Sequence, residues 1–233
     1  MGTVESAPLL SVVIPVYNEA RTIREVIRRV RATPYDKEII VVDDGSTDGT
    51  AELLAQEAGP DLRVLRHEVN LGKGAALRTG FREVRGQITI IQDADLEYDP
   101  ADYGALLAPI LDGRADAVYG SRFLGGPHRV LLFWHRVGNS VVTLLSNMLT
   151  NLDLTDMETG FKVMRTDLVR RLNLRSNRFG VEPEITAKLA RMGARIYETP
   201  ISYSGRDYAA GKKITWRDGI AAIWHIIRFR FGG

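Results

Sequence analysis

The chain has 233 residues, of which 45% are hydrophobic and 26% charged, and this is ordinary for a globular protein and enough for one large α/β domain. The net charge of +2 is too small to argue for nucleic-acid binding, and the absence of cysteine excludes disulfides and thiolate chemistry. We find no signal peptide and no uninterrupted apolar run of about 18 residues, so we expect a soluble or peripheral protein in the cytoplasm.

Apolar runs rich in β-branched residues alternate with helical patterns from residue 10 onward. Ile23, Val26 and Ile27 share one face of the first helical pattern, and Ser46 or Thr47 is expected to N-cap the second helix. The predicted strands are 10–16, 38–42, 62–66, 88–92 and 115–120, and the predicted helices are 19–31, 49–57, 74–84 and 100–111. This order predicts a Rossmann-like, mostly parallel, doubly wound sheet, with ligands beyond the carboxyl ends of its strands.

The alternation ends at Gly120, and two apolar helical stretches, about 130–150 and 215–231, then flank shorter elements. Because no linker or internal repeat interrupts the chain, we predict a single domain over residues 1–233. Its ligand-binding half spans about 8–125, and a helical section spans about 126–233.

Three carboxylates follow the apolar strand that begins at Ile88. Asp93, Asp95 and Glu97 are spaced two apart, so on an extended strand they would point the same way and converge on one position. Mg²⁺ and Mn²⁺ prefer one or two protein carboxylates together with substrate phosphates. The pattern therefore predicts a divalent metal ion that is bound with a diphosphate.

Polar groups follow the first, second and fourth predicted strands at the same edge, and they belong to a longer ordered set of segments. The segments are Pro-Val-Tyr-Asn-Glu (15–19), Val-Val-Asp-Asp-Gly-Ser-Thr-Asp-Gly-Thr (41–50), Asn-Leu-Gly-Lys-Gly-Ala (70–75), Gln-Asp-Ala-Asp (92–95), Gly-Ser-Arg (120–122), Glu-Thr-Gly-Phe-Lys (158–162) and Tyr203 to Lys213. In this order they resemble family 2 glycosyltransferases with the GT-A fold, and most of all the polyisoprenyl-phosphate sugar synthases such as dolichol-phosphate mannose or glucose synthase.

The resemblance implies that the first half binds a nucleotide-diphosphate sugar, either GDP-mannose or a UDP-hexose. Residues expected to hold the base and ribose are Pro15, Tyr17, Glu19, Asp43 and Asp44, since a carboxylate can accept hydrogen bonds from a base N–H or a ribose hydroxyl. The alternative for the two aspartates is a strand-end turn with a capping role.

The same resemblance assigns the diphosphate and its metal. Asp93 and Asp95 would hold Mg²⁺ or Mn²⁺, which neutralises charge on the leaving diphosphate, and Asp95 is counted with the catalytic residues. Glu97 is a third ligand, a ligand through water, or a solvated side chain. Lys73 is either a phosphate contact or part of a helix start.

The acceptor implied is a polyisoprenyl phosphate, dolichyl or undecaprenyl. Its phosphate oxygen is ionised near pH 7, so the reaction requires cations rather than a strong general base. We assign catalytic roles to Arg122 and Lys162, and binding roles to Arg206 and Lys213. Lys162 replaces the family's arginine, so it offers a point charge and no planar fork. His135 and Arg136 are either part of this set or a solvated surface.

The last helical stretch suits either a bilayer interface or the protein core. Ile220, Ile223, Trp224 and Ile227 share a helical face that Phe231 continues, with arginines at its edges. The same spacing also predicts a core helix. The apolar stretch at 131–149 could form a second interfacial element or a dimer face, so a bilayer, a second copy or a membrane protein are all expected partners.

We therefore predict an inverting, metal-dependent transfer of a hexose from a nucleotide-diphosphate sugar to a polyisoprenyl phosphate. In a first alternative the acceptor is a soluble or polysaccharide hydroxyl, which would need a general base such as Asp156 or Glu158. A second alternative is a receiver-type signalling domain with Asp93 as the phosphoacceptor. A third is a catalytically inactive scaffold, against which the Asp93/Asp95 pair argues.

Overall fold

A computed structural model describes residues 7–125, 133–178, 180–205 and 224–229. The strands are β1 (Leu10–Val16), β2 (Lys37–Asp43), β3 (Leu62–Arg66), β4 (Ile88–Ile91), β5 (Ala117–Ser121), β6 (Lys162–Arg165) and β7 (Ile196–Pro200). The helices are α1 (Ile23–Ala32), α2 (Thr50–Glu57), α3 (Lys73–Phe81), α4 (Tyr103–Leu111), α5 (Phe133–Thr150), α6 (Thr166–Leu172) and α7 (Val181–Arg191). A 3₁₀ turn, Pro100–Asp102, precedes α4, and residues 224–229 are helical.

The described strands form one sheet in the order β3-β2-β1-β4-β6-β5-β7. All neighbours are parallel except β6, which runs antiparallel between β4 and β5. The mostly parallel α/β sheet predicted from the sequence is thus confirmed. The chain moves outward from β1 through β2 to β3 and then returns to the other side of β1 with β4. Such a reversal of strand order creates a crevice at the carboxyl ends of the two central strands.

Both faces of the sheet are covered, which explains why its strands are near-continuous apolar runs. Along β1, Val12 and Ile14 join the core beneath α1 and α4, whereas Val13 joins the core beneath α3, α6 and α7. Pro15 is tolerated in this central strand because the pairing with β4 ends at Val13, so no β4 carbonyl requires the missing N–H.

Several predicted boundaries need correction. The predicted cap of α2 is wrong: Gly49 occupies the cap position at φ +94°, and the Asp48 carboxylate accepts the Thr50 N–H instead. The first helix begins at Ile23, because residues 17–22 form a loop that is hydrogen-bonded to the β2–α2 loop. The short strand β6 is missing from the prediction, since four residues show no useful alternation.

Only six residues of the predicted helix 215–231 lie in the described part of the chain. There, Ile226 and Phe229 are buried, whereas Trp224 and Ile227 of the predicted apolar face are exposed. Core packing and an exposed apolar face therefore coexist on this helix. None of the helices described is long and apolar enough to cross a membrane.

Candidate functional site

The loops after β1, β2 and β4 meet at the crevice and are joined by hydrogen bonds. Asn18, at φ +54°, donates its N–H to Ser46 Oγ at 3.0 Å and accepts the Thr47 N–H at 2.8 Å. Thr22 Oγ1 donates to the Ala94 carbonyl at 2.7 Å and thereby links the β1 and β4 loops. Pro15, Tyr17 and Glu19 are all half-buried along this loop. The predicted base-binding segment therefore lies in this hydrogen-bonded group of loops, beside residues 92–97, the predicted metal loop.

Asp43, the last residue of β2, accepts a hydrogen bond at only one of its two carboxylate oxygens. Its side chain is almost fully buried, and Oδ1 accepts the Ser46 N–H at 3.0 Å. Oδ2 accepts no hydrogen bond within the described residues, although Arg66 Nε lies 3.3 Å away outside hydrogen-bonding geometry. A buried acceptor without a donor is costly, so Asp43 has an acceptor available for a ligand N–H or hydroxyl.

Asp44 has a different environment, although it is the next residue. Its Oδ1 accepts the Leu71 N–H at 3.0 Å and lies 2.7 Å from His67 Nδ1, and its Oδ2 accepts the Gly72 N–H at 2.7 Å. This carboxylate holds the loop that leads into α3. Asp43 Oδ1 forms the strand-end turn of the structural alternative while its Oδ2 is available to a ligand, whereas both oxygens of Asp44 are used within the protein.

The metal loop is a turn and not an extended strand. β4 ends at Ile91, Leu96 has φ +64°, and Asp95 Oδ1 accepts the Glu97 N–H at 3.1 Å. The argument that Asp93, Asp95 and Glu97 converge by strand alternation is therefore wrong. In the described part of the chain, no three acidic or histidine side chains are grouped as metal ligands. Two carboxylates still fit Mg²⁺ or Mn²⁺, because phosphates complete the coordination of these ions.

Glu97 contacts the protein through both its side chain and its backbone. Its Oε2 accepts the Tyr203 hydroxyl at 2.8 Å, and its carbonyl accepts the Ser204 N–H at 3.0 Å. These bonds attach the loop to the segment after β7.

Lys73, the first residue of α3, lies between two carboxylates. Its Nζ is 2.8 Å from Asp93 Oδ1 and 3.0 Å from Glu182 Oε1. Burial opposes the charge, but Asp93 and Glu182 outweigh it, so the pKa of Lys73 is raised above its usual range. A Cβ on Gly160 would overlap the Asp93 carboxylate and approach Lys73 to 3.0 Å, which explains glycine at this position. Lys73 thus lies beside Asp93, where a diphosphate would bind.

Arg122 follows β5 and is held by Asp156. Its Nε and Nη2 donate to the two Asp156 carboxylate oxygens at 2.7 Å each, and its N–H donates to Oδ2 at 3.1 Å. Nη2 also donates to Asn139 Oδ1 at 3.2 Å. Burial opposes the charge, yet Tyr98 and Asp156 raise the pKa of Arg122 well above its ordinary value. Glu198 of β7 in turn accepts the Asp156 N–H at 3.1 Å. Arg122 is a permanently charged, oriented cation.

The predicted direct phosphate contact of Lys162 does not fit the structure. Its side chain is buried on β6, where Nζ donates to the carbonyls of Met157 and Thr159 and lies 4.5 Å from the centre of the Tyr119 ring. Burial lowers the pKa of Lys162 to about 8. Its ammonium group therefore stabilises the 157–159 turn by donating to these two carbonyls.

Glu158 is the carboxylate of the turn that Lys162 supports. Its Oε1 accepts no hydrogen bond among the described residues. Burial and the charge of Glu182 raise the pKa of Glu158 to about 8.

Two predicted binding residues, Arg206 and Lys213, lie outside the described residues. Conversely, sequence reasoning missed Tyr98, Gly160, Glu182 and Tyr203 as parts of the site. A carboxylate within the apolar start of α7 is a signal for Glu182, since a buried acid requires a cationic partner. Tyr98 is signalled only by its place next to Glu97.

The fold and the crevice define the class: an α/β protein of the GT-A type, with its polar loops at the carboxyl edge of a mostly parallel sheet. The chain belongs to glycosyl transferase family 2, whose model matches residues 11–172. The predicted family and enzyme class are confirmed, and the receiver-domain alternative is wrong.

Curated relatives include several enzymes named for prenyl-phosphate acceptors. An undecaprenyl-phosphate mannosyltransferase of Micrococcus luteus is 30% identical over 94% of this chain and 98% of its own length. A dodecaprenyl-phosphate galacturonate synthase of Rhizobium johnstonii is 27% identical over 87% of this chain and 61% of its own. A UDP-N-acetylglucosamine–dolichyl-phosphate N-acetylglucosaminyltransferase of Methanococcus voltae is 25% identical over 96% of this chain and 97% of its own length.

Solved structures share the fold. Glucosyl-3-phosphoglycerate synthase of Mycobacterium tuberculosis, in complex with Mn²⁺, UDP and phosphoglyceric acid, has a TM-score of 0.71 at 23% identity over 94% of this chain and 76% of that one. A mannosyltransferase of Pyrobaculum calidifontis in complex with GDP-Man and Mn²⁺ has a TM-score of 0.65 at 24% identity over 97% of this chain and 64% of that one. At this identity the likeness establishes the fold alone.

Proposed function

We propose that this glycosyltransferase transfers a hexose, with inversion, from a nucleotide-diphosphate sugar to a polyisoprenyl phosphate. The observation that carries the proposal is Arg122, a cation held by Asp156 at the carboxyl end of β5. Because β6 is antiparallel to both β4 and β5, the latter two strands run in the same direction. Arg122 therefore lies on the same sheet edge as Asp93, so the cation can bind the acceptor phosphate while the carboxylate holds the metal ion of the diphosphate. The prenyl-phosphate names of the relatives support this acceptor class.

In the proposed reaction, an acceptor phosphate oxygen attacks the anomeric carbon while the bond from that carbon to the diphosphate oxygen breaks. The electron pair leaves with the nucleoside diphosphate, and no proton has to move. Asp93 and Asp95 would hold the divalent cation, which when bound neutralises charge on the leaving group. Lys73 adds positive charge beside Asp93. Arg122 offsets the repulsion between the two phosphates.

A hydroxyl acceptor is less well supported, because it requires a general base. Asp156 is occupied by Arg122 and also accepts from Asn139 Nδ2 at 3.3 Å. The pKa of Glu158 is raised to about 8, so most molecules hold it protonated at pH 7 and only the ionised minority could act as a base. A phosphate nucleophile needs neither residue as a base.

A thermal-shift screen tests the donor. GDP-mannose, UDP-glucose, UDP-N-acetylglucosamine and UDP-galactose are each added with Mn²⁺, with Mg²⁺ and with EDTA. We expect one nucleotide to stabilise the chain, and only with metal. If none stabilises it under any condition, the proposed donor is wrong.

The acceptor is tested with the identified donor and farnesyl phosphate. We expect product from the unmodified chain and from Glu158→Gln, and none from Arg122→Ala. Asp156→Asn is not a clean test of a base, because it also releases Arg122. Activity that disappears in Glu158→Gln but persists in Arg122→Ala would favour the hydroxyl acceptor.

We further propose that the exposed face of α5 contacts an anionic bilayer at the cytoplasmic side. Phe133, Trp134, Leu144 and Met148 are 68%, 76%, 59% and 71% exposed, and α5 contains no acidic residue. The opposite face of α5 carries Asn139, which contacts Arg122. Arg122 thus lies one helix diameter, roughly 10 Å, from the proposed bilayer surface, within reach of a prenyl phosphate that emerges beside α5.

Vesicle sedimentation tests this contact. Trp134→Ser should reduce binding to phosphatidylglycerol vesicles several-fold, whereas Leu111→Ser, at an exposed position of α4, should not. If Trp134→Ser instead converts a dimer into a monomer and leaves vesicle binding intact, the face is an interface between two copies.

A further inference from the structure

Tyr203 lies between the metal loop and the acceptor-side arginine. Its hydroxyl donates to Glu97 Oε2 at 2.8 Å, and the Arg122 guanidinium lies 5.3 Å from the centre of its ring. The side chain is 6% exposed, so it is part of the site's interior. One residue therefore contacts both halves of the site, through chemically different groups.

The surroundings of Tyr203 make this connection stiff. Tyr98 and Tyr203 form an isolated antiparallel bridge, and their ring centres are 5.5 Å apart. The Ser204 N–H donates to the Glu97 carbonyl at 3.0 Å. Tyr98 Oη in turn accepts the N–H of Gly160, the glycine that packs against Asp93. A displacement of the 95–97 turn must therefore move Tyr203 as well.

We propose that Tyr203 is a positioning residue that couples donor binding to acceptor binding. This inference rests on the proposed function and deepens it. Nucleotide and metal bound at the 93–97 turn would restrict its motion, and the hydrogen bond between Tyr203 and Glu97 would pass that restriction to the Tyr203 ring. The ring then holds the Arg122 guanidinium in the orientation that binds phosphate. The acceptor phosphate therefore binds more tightly when the donor is bound, and by linkage the donor binds more tightly when the acceptor is bound.

The contacts assign separate tasks to the two ends of the side chain. Tyr203→Phe keeps the ring beneath Arg122 but removes the hydrogen bond to Glu97. Arg122 itself keeps both bonds to Asp156, so the acceptor phosphate should bind the nucleotide-free variant as it binds the unmodified chain. Only the effect of nucleotide on that affinity should disappear.

The experiment measures the dissociation constant of farnesyl phosphate by calorimetry, without nucleotide and with saturating Mn²⁺ and either UDP or GDP, whichever stabilises the chain more. In the unmodified chain we expect nucleotide to tighten binding at least about fivefold, the lower end of usual coupling between sites. In Tyr203→Phe this ratio should fall to about one. Tyr197→Phe, on the exposed part of β7, is the matched control and should keep the original ratio.

The outcomes separate this inference from the function on which it rests. If nucleotide and farnesyl phosphate both bind but neither affects the other, the coupling is disproved and the proposed function stands. If Tyr203→Phe keeps the original ratio, the coupling does not pass through the hydroxyl and the inference is overturned. If no nucleotide binds the unmodified chain at all, the proposed function and the inference both fail.

Discussion

Two parts of the same carboxyl edge differ: carboxylates in the loops after β1, β2 and β4, the donor edge, mainly hold main-chain N–H groups, whereas Asp156, beside the end of β5 at the acceptor edge, holds a cation. Asp44 and Asp95 shape the loops after β2 and β4 through backbone bonds. Asp156, in contrast, binds the guanidinium of Arg122 across 34 residues of sequence. The donor edge is thus shaped by carboxylates that accept backbone N–H groups, together with the Lys73–Asp93 pair, and the acceptor edge by the buried Arg122–Asp156 ion pair. The two edges should respond differently to substitution.

The largest effect is expected at the acceptor edge, for Arg122→Ala. Loss of the guanidinium leaves the Asp156 carboxylate buried without its cation, which typically costs about 3–5 kcal/mol of unfolding free energy. Transfer to prenyl phosphate should be lost as well. Urea denaturation and product formation measure the two effects.

Arg122→Lys separates the role of the charge from the role of the bidentate geometry, because lysine keeps the first but not the second. We expect Arg122→Lys to recover much of the stability and little of the transfer. Full activity in this variant would mean that charge alone is sufficient at this edge.

At the donor edge the largest effect should follow Gly160→Ala. The added Cβ overlaps the Asp93 carboxylate and crowds Lys73, so the affinity for nucleotide with Mn²⁺ should fall about tenfold or more. Gly138→Ala is the control, since no described atom lies within 4 Å of its added Cβ and alanine favours a helix by roughly 0.5–1 kcal/mol. Equal nucleotide affinities in the two variants would contradict the close approach of Gly160 to Asp93.

A smaller effect should distinguish the neighbouring aspartates. Asp44→Asn replaces one oxygen, which accepts a main-chain N–H, with an NH₂ group and should cost about 1–3 kcal/mol of unfolding free energy. Asp43→Asn should change stability less and weaken nucleotide binding more, since Asp43 Oδ2 accepts no hydrogen bond among the described residues and faces only the exposed Arg66. Denaturation together with nucleotide titration tests the pair. A reversed pattern would exchange the roles of Asp43 and Asp44.

A further effect concerns pH and the Glu158 carboxyl, which lies between Lys162 and Asp156 in charge interactions. The folded-state pKa of Glu158 is raised to about 8 from 4.5, so the folded state keeps a proton that the unfolded chain releases. This contribution is complete below pH 4.5 and is lost as pH rises through 8. Glu158→Gln should therefore show a smaller decrease in unfolding free energy between pH 5 and pH 8 than the unmodified chain. The same decrease in both proteins would show that Glu158 titrates normally.

Much of the donor edge could be predicted from the sequence because its signals are local. β1 and β3 have the predicted bounds, and parallel strands necessarily bring their carboxyl ends to one edge. The motif at 92–95 therefore predicts where a metal ion would bind, although the extended conformation predicted for this loop is wrong. A left-handed residue at Leu96 has no sequence signal of its own, because glycine or asparagine is usual there.

By itself, the sequence determined the α/β architecture, the family and the sheet edge at which the motif residues meet, since these follow from periodicity and from motifs on consecutive residues. The tertiary structure alone decided which charges reach that edge. Arg122 and Lys162 are equally plausible cations in the sequence, yet one is held at the edge by Asp156 and the other is buried under the turn that it supports. Desolvation and pairing decide such cases, and both depend on residues that are distant along the chain.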